Sequence, residues 1–166
     1  MTKRQIKKYL KMLNDQLAEL GIKGEICLYG GAAMCLAFNA RQATKDVDAV
    51  FEPAQKVRAS ALQLAKTHGL KEDWLNDAVK GFVVRHKQQV LFNWPNLKVF
   101  HAEAEYLLAM KAMSARQDTT DRKDIIFLVK HLKIKSPEEV FAAIEKYYHK
   151  QHIKAATQFF IEELFE

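Results

Sequence analysis

Apolar residues return every third or fourth position at the head of the chain. Ile6, Leu10, Leu13, Leu17 and Leu20 recur at steps of four and three, which predicts an amphipathic helix with Gly21 as its stop. The period then changes. Residues 25–29 read as a short buried strand, Gly30 and Gly31 as a turn, and residues 32–39 as a helix. Residues 46–51, D-V-D-A-V-F, alternate and read as a half-buried strand. Pro53 suits a helix start, and that helix runs to about residue 68, with Gly69 as its stop.

In the middle, residues 72–77 (EDWLND) predict a turn or loop. Residues 81–85, 89–93 and 97–101 predict short strands, with N-W-P-N turning the chain between the last two. Beyond this the pattern is helical, over residues 102–116, 119–132, 137 to about 148, and 153–165. Ser136-Pro137-Glu138-Glu139 opens the third of these. It offers a serine N-cap, a proline at the first helical position and acids in the first turn. The chain carries no internal repeat, low-complexity tract or linker. These elements predict one domain over residues 1–166 of the α/β (α+β) class. A small mixed sheet with flanking helices would fill about residues 1–101, and a helical part about residues 102–166.

Composition supports a folded chain: 49% of the 166 residues are hydrophobic and 28% are charged. Glycine (6) and proline (3) are scarce, which favours long helices. No apolar run reaches the length of a membrane span, and the basic N-terminus lacks the apolar core of a signal peptide. The expected location is cytoplasmic. Cys27 and Cys35 have no metal or redox spacing and read as small buried hydrophobes.

The net charge is +6 and the isoelectric point about 9.2, which suits RNA or a phosphate-bearing ligand as partner. Lys3, Arg4, Lys7, Lys8 and Lys11 crowd the first turns. They read as a solvated helix face or as a binding patch.

The candidate chemistry lies between residues 28 and 51. A glycine pair between a strand and a helix lets the backbone turn sharply and approach a ligand, and the helix start offers free N–H groups to phosphate. It is neither a P-loop, since no G-K-[ST] follows, nor a dinucleotide fingerprint. On a strand, Asp46 and Asp48 point to the same side. Two adjacent carboxylates repel unless a cation stands between them, and Mg²⁺ prefers oxygen ligands shared with substrate phosphates. A tight turn and a solvated D-x-D are the plainer account of each feature alone. Together, strand, G-G, helix and D-x-D strand point to a metal–nucleotide site.

G-G, a short helix and D-V-D on the next strand resemble the signature of the DNA polymerase β-like nucleotidyltransferase superfamily. The stretches TKDVDAVF, EDWLND, EYLLAMKAMSAR, DTTDRKDI and SPEEVFAAIEKYY resemble an uncharacterised bacterial branch of it, one similar to the AbiEii-type toxins of abortive-infection and toxin–antitoxin systems. The likeness covers the chain from about residue 26 to its end. It implies a nucleotidyltransferase fold, with Gly30 and Gly31 holding NTP phosphates and Asp46 and Asp48 binding Mg²⁺, or Mn²⁺ in its stead. A hydroxyl of the acceptor would attack the α-phosphate and pyrophosphate would leave.

One expected piece is missing. Many superfamily members carry a third carboxylate on a later strand, but no Asp or Glu occurs between Asp77 and Glu103. The toxin-like branch implies a substitute, a helical lysine and a later aspartate. Lys111 follows Leu107 and Leu108 on one helix face and either snorkels or aims into a cleft, where it would bind phosphate. Asp121 and Asp124 are the candidate acids. Asp121 also suits a helix first turn, with Asp118 as that helix's cap, while Asp124 matches the branch's R-[KR]-D run. Arg116 and Lys123 are candidate phosphate holders or plain surface cations. His149 and His152 lack a third ligand and read as a solvated face, and Trp74 as a packing residue rather than a base stacker.

The expected function is therefore a Mg²⁺-dependent nucleotidyltransferase that moves an NMP from an NTP to a hydroxyl of RNA (tRNA among the candidates) or of a protein. The likeness implies the toxin of a toxin–antitoxin or phage-defence pair, with a cognate antitoxin or toxin protein as partner and no membrane role. The alternative is an inactive nucleotidyltransferase-fold protein acting as a nucleotide- or partner-binding module.

Overall fold

Thr2 starts the first helix in the computed structural model, which describes residues 1–115, 119–149 and 152–166. Its hydroxyl accepts from Gln5 N while the Gln5 side chain accepts from Thr2 N, a complete capping box. This helix, α1, spans Lys3–Glu19. Ile6, Leu10, Leu13 and Leu17 are buried as the periodicity requires. Leu20 is not: it caps the helix C-terminus and is 59% exposed, because the stripe ends where the helix does.

The chain forms two compact units, residues 1–83 with 88–102, and residues 84–87 with 103–166. The first continues through β1 (Gly24–Leu28), α2 (Gly30–Leu36), β2 (Val47–Glu52), α3 (Ala54–His68), β3 (Leu75–Asn76), a 3-10 turn (Ala78–Gly81), β4 (Gln88–Asn93) and β5 (Leu97–Ala102). The strands make one mixed sheet in the order β3-β2-β1-β5-β4. β1 is antiparallel to β2 and parallel to β5, β3 is parallel to β2, and β4 is antiparallel to β5. The α+β class is thus observed.

Strand alternation divides the sheet into two faces. Ile26, Leu28, Val47, Ala49, Phe51, Leu97 and Val99 are buried on one of them. α1 lies over this face, since a Cβ on Gly24 would stand 3.1 Å from Leu17 Cδ1. α1 also packs on α3 and α2. The other face carries Glu25, Asp48, Val50, Lys98 and Phe100, which are half-buried or exposed.

Two expectations fail in the middle of the chain. EDWLND contains β3 rather than only a loop: Val47 N donates to Trp74 O at 2.7 Å and the next residues pair with β2. Trp74 anchors this edge, buried, with Nε1 donating to Ala61 O at 3.0 Å. Residues 81–85 form no strand. The 3-10 turn ends at Gly81, and residues 82–87 lie outside any regular element. The remaining boundaries shift by one to three residues.

The second unit holds α4 (Ala104–Ser114), α5 (Thr119–His131), α6 (Pro137–Tyr147) and α7 (Ala155–Glu163). α4 packs on α5 and α6, and α6 on α7. Ser136 caps α6 by accepting from Glu139 N at 3.4 Å, with proline in the first turn. Tyr106 organises one end. Its hydroxyl meets Tyr148 Oη at 2.9 Å, accepts from Val84 N at 3.1 Å, and His86 stacks on its ring at 4.0 Å. Among the described residues, no helix is long and apolar enough to cross a membrane. The expectations for Arg116 and Asp118 lie outside the described residues.

Candidate functional site

Gly30 is the first residue of α2, not part of a separate turn before it. Its φ of +52° falls in the left-handed region that favours glycine. Just before it, Tyr29 N donates to Asp48 O at 2.9 Å, the last rung between the end of β1 and the start of β2. This rung brings the glycine against the acid: a Cβ on Gly30 would stand 2.8 Å from Asp48 Oδ2. Gly31 is buried, and a Cβ there would stand 3.0 Å from both Thr44 Cβ and Arg41 Nη1.

The loop holding Arg41 and Thr44 is tied to the N-terminus. Thr44 N donates to Met1 O at 2.9 Å, the Met1 amino group donates to Thr44 O, and Thr2 bridges Ala43. Lys3 Nζ donates to Asn39 Oδ1 at 2.5 Å, and Cys35 Sγ to Arg41 O at 3.2 Å.

β2 begins at Val47, so Asp46 stands just outside the strand. Val47 and Ala49 are buried, Asp48 takes the opposite face of the sheet, and both Asp46 and Asp48 are half-buried. Asn76 of β3 lies opposite Asp48 in register, its Oδ1 accepting from Ala78 N at 3.2 Å.

The sheet position at which the resemblance implies a third acid can now be located. Leu28 pairs with Ala49 on one side and His101 on the other. Ala49 and His101 therefore share a face, and β5 offers Phe100 and Ala102 to the aspartate face, with no carboxylate. His101 turns away. Its Nδ1 donates to Ala102 O at 2.8 Å and its ring meets Phe38 edge-on at 5.3 Å.

Among the described residues, no group of three or more His, Cys, Asp or Glu side chains is arranged to hold a metal. Asp46 and Asp48 offer oxygen donors alone, the ligand type that Mg²⁺ takes when water and phosphate complete its shell.

The second unit brings the other candidates together. Lys111 Nζ lies 3.1 Å from Asp121 Oδ1 and 2.6 Å from Asp124 Oδ2. The lysine and aspartate side chains are 8% and 2% exposed in the closer pair, while Asp121 keeps 21%. Lys111 therefore does not snorkel. It is buried between α4 and α5, and the two acids that periodicity left as alternatives both contact it.

Other candidates recede. Lys123, His149 and His152 are exposed, and the two histidines lie between α6 and α7 rather than on one helix. Cys27 and Cys35 are both buried, and neither is in a disulfide. Burial pushes the Cys27 thiol up to about 11, which keeps it protonated.

Sequence reasoning missed Arg41, Thr44 and Asn76. Arg41 and Thr44 stand between the glycine and aspartate motifs, a position that offered a clue. Asn76 became visible only once β3 formed. No protein-family model, no curated protein and no solved structure matches the chain.

Proposed function

We propose that the chain is a nucleotidyltransferase of the DNA polymerase β-like kind. It would move an NMP from an NTP to a hydroxyl of RNA or protein, as the toxin of a toxin–antitoxin or phage-defence pair. One observation carries the reading: the Gly30 backbone and the Asp48 carboxylate abut, so a phosphate chain lying on the glycines lies beside that carboxylate.

In that reading Gly30 and Gly31 seat the triphosphate, with Arg41 at hand for its charge. Asp46 and Asp48 would hold Mg²⁺, or Mn²⁺ in its place. The bound ion supplies charge neutralisation on the phosphates. In the transfer, the acceptor oxygen bonds the α-phosphorus, the bond from that phosphorus to the bridging oxygen breaks, and pyrophosphate departs. The hydroxyl proton passes to a carboxylate or to water. The resemblance implies duties for Lys111, Asp121 and Asp124 as well. Their test is separate, because they form an ion cluster within the helical unit.

The assay is label transfer from α-labelled NTPs in Mg²⁺ to total RNA or lysate protein. Wild type should transfer label, and both Asp48→Asn and chelation should abolish it. No transfer by wild type, or undiminished transfer by Asp48→Asn, sinks the proposal.

A second reading draws on Phe100 and Ala102 where a third acid would stand. Here the fold is kept and activity lost, leaving a nucleotide- or partner-binding module acting as antitoxin or regulator. Calorimetric binding of Mg-NTP without label transfer supports it.

A further inference from the structure

We infer that the first unit carries a binding surface for single-stranded RNA, built from one face of α1, the edge strand β4 and the turn that follows it. The observation is a paired aromatic stack under two lysines. Phe92 and Trp94 stack with centroids 4.8 Å apart and planes 6° apart. Lys7 Nζ sits 5.2 Å from the Phe92 centroid and Lys11 Nζ 5.8 Å from that of Trp94.

A β-bulge creates the arrangement. Val90 pairs with Phe100, but Phe92 pairs with Val99, so the register shifts between them. Without the shift Phe92 would share the face of Lys98. With it, Phe92 joins Val99 on the face that α1 covers. Residues about 85 positions apart in the chain thus become neighbours, and α1's loop contacts fix the alignment: Asn96 N donates to Asn14 Oδ1 at 2.9 Å.

Lys3, Lys7 and Lys11 recur at steps of four, are all exposed, and so line one side of α1. The row spans about 12 Å of helix axis. Its near end meets the loop that packs on the glycine pair, through Lys3 and Asn39. Its far end reaches the stacked rings. A row of cations tracks a phosphate backbone, and the half-exposed Trp94 ring, backed by Phe92 at the end of that row, offers an aromatic surface to a base of any sequence. A plain solvated face would not need the rings. A protein partner would not need the row, and unpaired bases supply what both features take.

The contact with Asp15 sharpens the inference. Lys11 Nζ donates to Asp15 Oδ1 at 2.8 Å, so the acid competes with phosphate for that ammonium.

This deepens the transferase reading by naming the acceptor class, and it rests on that reading only for the surface's purpose. Binding is therefore measured without NTP and with chelator present, as fluorescence anisotropy of a labelled 20-nucleotide oligo(U) with the full chain. Wild type should bind, more weakly as salt rises. Lys7→Glu/Lys11→Glu should weaken binding at least tenfold and flatten the salt slope by about 1.4, at ~0.7 per lost phosphate contact. Trp94→Ala should weaken it about fivefold or more. Asp15→Asn should tighten it. A charge-matched control, Lys130→Glu/Lys135→Glu in the helical unit, should bind within twofold of wild type. The inference is overturned if wild type does not bind, or if the control loses as much as Lys7→Glu/Lys11→Glu. It is also overturned if a 20-base-pair duplex binds as tightly as the single strand. Failure here leaves label transfer to a protein acceptor intact. Loss of transfer in Asp48→Asn leaves oligo(U) binding intact.

Discussion

The Asp48 carboxylate occupies the space that a side chain on Gly30 would enter, with Oδ2 only 2.8 Å from the position of an added Cβ. The two residues are 18 apart in the chain. The antiparallel pairing of β1 with β2 returns the second to the first. The glycine is therefore demanded twice, by its φ of +52° and by the carboxylate beside it.

Gly69 separates these two demands. It has φ +64° and nothing within 4 Å of an added Cβ. Alanine at either position should lose about 1–2 kcal/mol to left-handed strain. Gly30→Ala must also displace Asp48, so it should lose more in urea unfolding than Gly69→Ala. Under the proposed function, calorimetric affinity for a Mg²⁺-bound, non-hydrolysable NTP should fall in Gly30→Ala and hold in Gly69→Ala. Equal losses of stability in the two variants would mean that the carboxylate contact constrains nothing.

Cys27 gives the unit a marked alkaline dependence. Its thiol is held protonated by burial up to about 11, against an ordinary value of 9.0. The folded state then binds more protons than the unfolded state between these values, so stability must fall as pH rises through them. Cys27→Ala lacks this group. The stability difference between wild type and Cys27→Ala should be constant below pH 9 and shift against wild type from there towards pH 11. A difference that stays flat to pH 11 would contradict the burial effect. At pH 8 the native thiol should resist a disulfide-exchange reagent and react only after unfolding.

Much of the fold was legible because its signals are local. The α1 stripe, the Ser136 cap with Pro137, and the Gly69 stop each lie within one element, where period and capping chemistry act. β3 was hidden because two residues carry no period. It forms because Trp74 is buried against α3, a contact outside the strand itself. The face that Asp48 takes was readable from alternation. The neighbour Asn76 was not, since pairing between strands is a tertiary fact. The bulge between Val90 and Phe92 was unreadable for the same reason, and it decides which face Phe92 serves. Lys111 with Asp121 or Asp124 was readable as a choice. The structure supplies both contacts, because α4 and α5 pack side by side.

Trp74 offers a check on packing against stacking. Its indole is buried and its N–H is spent on Ala61 O. Trp74→Phe removes that hydrogen bond and some volume, and should cost roughly 1–3 kcal/mol. Trp74→Ala should cost about 3–5 kcal/mol. Neither change should alter nucleotide affinity in protein that remains folded. An affinity loss in folded Trp74→Phe would make this tryptophan a base stacker after all.

The Lys111 cluster gives the clearest order of effects. One ammonium serves two carboxylates, of which Asp124 is almost fully buried and Asp121 keeps partial contact with solvent. Lys111→Met takes the ammonium away from both acids, one of them almost fully buried. Breaking a buried pair from one side costs about 3–5 kcal/mol. In a chain of this size each kcal/mol lowers the unfolding midpoint by about 2–4 °C. Asp121→Asn should cost about 1 kcal/mol or less, because solvent screens that partner. Lys111→Met/Asp124→Leu removes the deeper pair together and should recover part of what Lys111→Met loses. Thermal unfolding of the three variants tests the order. Equal midpoints for Lys111→Met and Asp121→Asn would show that the buried pair does not hold α4 to α5. Asp121→Asn, as the variant that stays folded, is then the one in which to read label transfer. Loss of transfer there gives the cluster a part in the chemistry, and full transfer makes it a structural clamp.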